Sequence, residues 1–279
     1  MNKIGCWNIR GINGLQKQKY VRDWIKNNKL SLFSLIETKV QYAKLDTLQN
    51  GLDLRDWRFI SNATGHDKAR IIIGWDPAIF DVHCLHFTEQ WMTCRVLGIH
   101  QQIDIIVTMV YGHNTPAARQ AIWDYLRIKG GNFASQPWLL MGDFNATQKV
   151  SNSKGGDTNW CSHKQDFGVC MQQAELHIVP YRGIKFTWHN GQAGANMIMK
   201  KLDWVIGNTA FAKDWPDAYA HFLPRDVSDH SSMVIHLSED HFHPRPRFRF
   251  LNLWLDREDF MPQLARVWSS LFMGPLFTS

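Results

Sequence analysis

Apolar positions along this chain fall into short runs separated by polar or turn residues, the rhythm of many strands with a few helices between them. Ile4-Gly5-Cys6-Trp7 is a run of strand length that delivers Asn8 to its end. Tyr20, Val21, Trp24 and Ile25 recur at helical spacing, and Leu30 to Ile36 is a second strand run that places Glu37 just past it. Arg70 to Trp75, Phe80 to His86, Trp91 to His100 and Ile103 to Tyr111 read as successive strands, the last two joined by a tight hairpin at Gln101-Gln102. Thr115 and Pro116 open a helix reaching about Lys129, with the threonine hydroxyl as N-cap and proline in the first helical position. Trp138 to Met141 is a buried strand that runs into Gly142-Asp143-Phe144-Asn145. Ser162 with Gln165 forms a capping box for a helix through Glu175. Strands near Phe186, at Asp203 to Ile206, at Tyr219 to Leu223 and at Met233 to Leu237 complete the pattern.

This arrangement places Asn8, Glu37, Tyr111, Asp143, Asp203 and His230 at strand ends or in the loops beside them. Polar residues delivered by many strands to one rim make the mouth of a site. Composition agrees with a globular protein: 279 residues, 44% of them apolar and 20% charged, suit one large α/β domain, or one domain and an appendage. A net charge of +6 favours a polyanionic partner such as nucleic acid. The five cysteines include no Cys-x-x-Cys spacing and read as reduced thiols of an intracellular protein. We expect neither a signal peptide before the first strand nor a membrane span, and therefore discount the glycosylation patterns at Asn62 and Asn145.

The chemistry that fits these side chains is phosphodiester hydrolysis, which needs a metal, an activated water and donors for charge developing on phosphate oxygens. Glu37 is the best candidate metal ligand, because magnesium favours a few carboxylates and keeps most of its waters. Asp143 and Asn145 alternate along an extended segment, which would put acid and amide on one side; an Asx turn is the plainer alternative. Ser228-Asp229-His230 brings a carboxylate and an imidazole into one turn, and Asp203 offers a second acid to orient the ring. No Gly-x-Ser-x-Gly elbow occurs, so water is the expected nucleophile.

Taken in order, Trp7-Asn8-Ile9-Arg10-Gly11, Ile36-Glu37-Thr38, Val110-Tyr111-Gly112, Gly142-Asp143-Phe144-Asn145, Leu202-Asp203 and Ser228-Asp229-His230 resemble the motifs of the endonuclease/exonuclease/phosphatase superfamily. The set is similar to that of apurinic/apyrimidinic endonucleases and LINE retrotransposon endonucleases. Phe186-Thr187-Trp188 and Pro224 to His230 resemble the plant LINE (non-LTR) branch in particular. The resemblance implies a deoxyribonuclease I-like four-layer α/β sandwich, two packed β-sheets flanked by helices, over residues 1–238. It implies Mg²⁺, with Mn²⁺ as a substitute, held by Glu37 with Asn8 and Asp229 as ligands or supports. It further implies that Tyr111 contacts the phosphate, Asp143 activates water, Asn145 stabilises the pentavalent state and Asp203 orients His230. Substrate would meet Arg10, Tyr111 and Asn145. Whether Asp143 or His230 takes the proton stays open at this stage. Arg10 stands where repair enzymes of the superfamily carry an acid, whereas plant LINE endonucleases often read Trp-Asn-x-Arg-Gly; one carboxylate of any second metal site is thereby missing.

Residues 239–279 differ in character. Pro244 to Phe250 alternates arginine with apolar residues, ahead of a helical pattern through Phe260, Leu264, Val267, Trp268 and Leu271. It resembles the segment that joins endonuclease to reverse transcriptase in plant LINE polyproteins, without the polymerase. The expected activity is nicking of DNA to leave a 3′-hydroxyl, by a monomer that is nuclear if it acts on DNA. The alternatives are a phosphatase or phosphodiesterase for a small substrate such as an inositol phosphate, and a domesticated remnant that binds nucleic acid without cutting.

Overall fold

A computed structural model of the protein describes residues 3–63, 67–156 and 165–237, together with 262–263 and 265–266. The capping box expected at Ser162, the arginine run and the apolar positions of the tail helix lie outside the described residues. The chain divides into two compact units, Met1–Glu239 and Asp240–Ser279; in the second, residues 262–263 and 265–266 are helical.

The first unit runs β1 (Lys3–Asn8), α1 (Leu15–Asn28), β2 (Leu32–Gln41), α2 (Leu45–Gly51), β3 (Arg58–Ser61), β4 (Lys68–Trp75), β5 (Phe80–Phe87), β6 (Trp91–Gly98), β7 (Asp104–Tyr111), α3 (Pro116–Asn132) and β8 (Trp138–Asp143). It continues through β9 (Ser153–Lys154), α4 (Asp166–Gln173), β10 (Leu176–Ile178), β11 (Tyr181–Gly183), β12 (Trp188–His189), β13 (Met199–Lys200), β14 (Asp203–Asn208), α5 (Thr209–Asp214), β15 (Tyr219–Phe222) and β16 (Met233–His236). A seven-stranded sheet has the order β11-β15-β16-β1-β2-β4-β3, and a six-stranded sheet the order β10-β14-β8-β7-β6-β5.

Alternation along each central strand explains the layers. In β1, Ile4 and Cys6 enter the core between the sheets, while Trp7 joins the cluster under α1 with Val21, Trp24 and Ile25. In β8, Leu139 and Met141 face the inter-sheet core, and Trp138 and Leu140 pack with Ile122, Trp123 and Leu126 of α3. Strands buried on both faces read as continuous apolar runs, and the result is the four-layer sandwich expected from the resemblance. The first and last strands of the unit are neighbours: β1 pairs antiparallel with β16, from Lys3 opposite His236 to Cys6 opposite Met233.

Several elements depart from expectation. Thr115 has the extended backbone of an N-cap but its hydroxyl makes no capping bond; the cap rests on Pro116 alone, and the helix extends to Asn132. The β6–β7 link is not a tight turn. Ile99 N donates to Ile79 O, which draws the chain away from its partner, and residues 99–103 form a loop closed by Gly98 N to Ile103 O at 2.9 Å. Phe186 sits between strands rather than in one, and α2 and β3 have no counterpart in the sequence reading.

Candidate active site

Two strand rims, one from each sheet, face each other across the site. On the seven-stranded sheet, Asn8 ends β1 opposite Ile36 of β2. Glu37 is not past the end of its strand: β2 continues to Gln41 after a register shift between Ile36 and Val40. Glu37 and Lys39 take φ of 55° and 58° within that bulge, which re-aims their side chains. The loop carrying Arg10 is tied down alongside, with Ile9 N, Gly11 N and Ile12 N donating to Ile36 O, Glu37 O and Thr38 O. Non-glycine residues in this region cost on the order of 1–3 kcal/mol each and persist where surrounding bonds fix them.

On the six-stranded sheet, Tyr111, Asp143 and Asp203 lie side by side in β7, β8 and β14. Gly142 lets these strands close up: at its φ of 144° a Cβ would lie 2.0 Å from Val110 O. Asn145 does reach Asp143, but not by alternation in an extended segment. Its φ is 48°, and Asp143 Oδ1 accepts from Asn145 N at 2.9 Å, which is Asx-turn geometry. Asn145 Nδ2 donates to Gly112 O at 2.8 Å and lies 3.3 Å from Asp143 Oδ2.

Contacts between the rims assemble the inner site. Asn8 Nδ2 donates to Asp143 Oδ2 at 2.9 Å. His230 Nδ1 is 2.9 Å from Asp203 Oδ2, and its Nε2 is 3.7 Å from Asp143 Oδ2. All four residues are buried. Burial alone would lower the imidazole, but Asp203 and Asp143 outweigh it and push His230 up to about 9. Burial and the nearby Asp203 raise Asp143, against the opposing pull of His230.

Motif residues given no role of their own from sequence hold this arrangement. Thr187 Oγ1 accepts from the backbone N–H of Leu202 and of Asp203, both at 3.1 Å. Trp188 Nε1 donates to Asp229 Oδ2 at 3.0 Å, so the Phe186-Thr187-Trp188 segment buttresses two acids at once. Ser228 Oγ donates to Asn8 O at 2.6 Å, and Trp7 Nε1 to His230 O at 3.2 Å. Only the motif spacing hinted at these roles, because hydroxyl and indole donors are common in any loop.

The outer site gathers Glu37, Asp229, Arg10, Lys39 and Tyr111. Arg10 pairs with Asp229 and its Nε lies 4.0 Å from Glu37 Oε1, while Lys39 Nζ is 3.0 Å from the same oxygen. Burial and the neighbouring Glu37 carboxylate push Tyr111 up to about 12. Arg70 lies over its ring at 4.7 Å. Glu37, Asn8 and Asp229 present oxygen donors, and Asp229 Oδ1 is buried with no hydrogen-bond partner among the described residues. A hard divalent cation fits such donors. Asp143, Asp203 and His230 also bring ligand atoms within 4.8 Å of one another, the one such His/Cys/Asp/Glu cluster among the described residues. In that cluster the imidazole Nδ1 and the Asp203 Oδ2 facing it are committed to each other, which suits proton handling.

The comparison that decides the family is a match between residues 5–230 and the model of the Endonuclease/Exonuclease/phosphatase family. The chain belongs to that family. Solved structures share the fold of this family member at low sequence identity. The endonuclease domain of TRAS1, a telomere-specific non-LTR retrotransposon, superposes with a TM-score of 0.63 at 13% identity, covering 86% of this chain and 100% of that one. The AP endonuclease LMAP from Leishmania major gives 0.68 at 14% identity, covering 86% and 88%. The mannosyl-6-phosphatase Bt3783 of Bacteroides thetaiotaomicron gives 0.59 at 14%, covering 85% and 100%. A search of curated proteins returned no match. Members of the family are hydrolytic enzymes, and this chain is a phosphoester hydrolase by membership. No helix among the described residues is long and apolar enough to cross a membrane.

Proposed function

We propose that this protein is a divalent-metal-dependent endonuclease that nicks DNA and leaves a 3′-hydroxyl, as in a plant LINE-type retrotransposon. The observation that carries the reading is the inner site, where Asn8, Asp143, Asp203 and His230 are already bonded into a geometry suited to attack by water. His230, with a carboxylate at each nitrogen, holds its proton at neutral pH, which leaves Asp143 to accept the proton of the attacking water. The charged imidazole and the Asn145 amide then donate to the phosphate oxygens as negative charge develops. The bond to the 3′ oxygen breaks, and that oxygen takes up a proton to become the hydroxyl. Glu37, Asn8 and Asp229 would hold Mg²⁺ or Mn²⁺, which when bound neutralises phosphate charge. Arg10 and Tyr111 line the same mouth and would contact the backbone of the substrate. The net charge of +6 and the LINE-like Phe186-Thr187-Trp188 and Pro224 to His230 segments favour DNA over a small phosphate ester.

On this reading residues 1–238 are the catalytic domain of a nuclear monomer, and 239–279 are an aromatic segment whose arginine run from Arg245 to Arg249 adds contacts to phosphates. A supercoiled-plasmid nicking assay, with end mapping and with excess chelator, tests it. Nicks bearing 3′-hydroxyl ends that vanish on chelation are the expected result. Hydrolysis of inositol phosphates without nicking would replace the proposal with a phosphatase, and binding without cleavage would replace it with a non-cutting remnant. Full activity in chelator would remove the metal assignment.

A further inference from the structure

Lys201 is fully buried, and its Nζ has no hydrogen-bond partner among the described residues. The nitrogen instead sits among three rings, with centroids at 3.7 Å for Phe222, 4.1 Å for Tyr181 and 4.9 Å for Trp204. Two residues along, Asp203 is buried with Oδ2 on His230 and with Oδ1 also lacking a partner. An isolated charge of either sign is costly in such surroundings, so buried opposite charges in one neighbourhood lower each other's cost without direct contact. Aromatic faces turned toward an ammonium act in the same direction. We propose that Lys201 is a positioning residue for the Asp203–His230 pair: a caged ammonium that supplies the buried positive charge balancing the Asp203 carboxylate.

Asp203 pulls the Lys201 ammonium up, against burial, which pushes it down to about 7. The other titratable groups around Asp203 are Asp143, His230 and the Cys6 thiol, which burial followed by Asp203 and Asp143 holds well above its usual range. The catalytic part of the inference rests on the hydrolytic reading of the site; the charge balance does not.

The test uses the full chain, with Lys201→Met, Asp203→Asn and the double variant, since methionine fills the cage without the charge. Thermal unfolding gives the first readout. Asp203→Asn alone strands a buried cation, so its melting temperature should drop further than that of the double variant. Losses that simply add would overturn the proposal. The second readout is single-turnover nicking. Lys201→Met should slow cleavage on the order of ten-fold, the lower end for groups that orient others, with half-saturating DNA unchanged. The same substitution should cost nothing more in the Asp203→Asn background. A loss that persists there means Lys201 acts only through packing, which overturns the positioning role. If Lys201→Met does not fold, the ¹⁵N resonance of Lys201 Nζ in the unaltered protein decides near pH 6: an ammonium supports the proposal and a neutral amine ends it. Coupled melting temperatures in a protein that nicks nothing would uphold the charge balance while removing the nuclease reading.

Discussion

At the inner end of the site the side chains of Asp203, Asp143 and His230 are 0%, 1% and 6% exposed; at the outer end Glu37, Asp229 and Arg10 are 16%, 20% and 56% exposed. Both ends bring acids and a base together, but surroundings decide what that does. Unit charges 4 Å apart interact by about 1 kcal/mol in water and by about 4 kcal/mol at the effective dielectric of a protein site. The inner group therefore behaves as one coupled unit that fixes where a proton resides. The outer group is wetter and screened, so its pairs exchange more readily, as the proposed metal and phosphate contacts require.

Substitution of the inner pair should give the largest effect. His230→Ala and Asp203→Asn should each slow cleavage by about 10²–10⁴, the scale of a lost general acid–base step. The double variant should be scarcely worse than the poorer single one, and single-turnover nicking rates would expose multiplicative losses if the two were independent.

Next comes stability against pH, measured in chelator. His230 is raised in the folded protein from 6.5 to about 9. Its contribution is complete below pH 6.5 and is lost as pH rises through 9; Asp143, also raised on folding, acts in the same direction. Melting temperature should fall between those limits, and His230→Ala should flatten the slope. An unchanged slope would mean that the imidazole is neutral in the folded state.

Glu37→Gln should weaken Mn²⁺ binding, read by electron paramagnetic resonance, by roughly 10–100-fold while the fold survives. Unaltered binding would move the metal away from the outer carboxylates. The smallest effect belongs to Arg10→Ala: its pairs are solvent-facing, so stability should change by less than about 1 kcal/mol in urea titrations. A larger loss would mean that the outer site is as tightly coupled as the inner one.

Much of this layout was legible before any coordinates. Strands buried on both faces leave unbroken apolar runs, as in Trp138 to Met141, and polar residues at their ends mark a mouth. The backbone at Glu37, Arg10 and Asn145 was not legible, because non-glycine residues carry no compositional mark of a positive φ. Leu48 of α2 and Leu52 just past it are buried, but a seven-residue helix repeats its pattern too few times to stand out. Lys201, beside Lys200, carries no mark of burial in the sequence; only the fold reveals its three rings.

The pairing of β1 with β16 has a temporal consequence. The inner site needs both ends of the first unit: Ser228 grips Asn8, and Trp7 grips His230, across more than 200 positions of sequence. Contacts this distant close late, after local structure has formed. During synthesis, a nascent chain still short of residues 228–236 lacks His230 and has no partner for the β16 side of β1. On the nuclease reading, the inner site is therefore complete only once both β1 and β16 have been made.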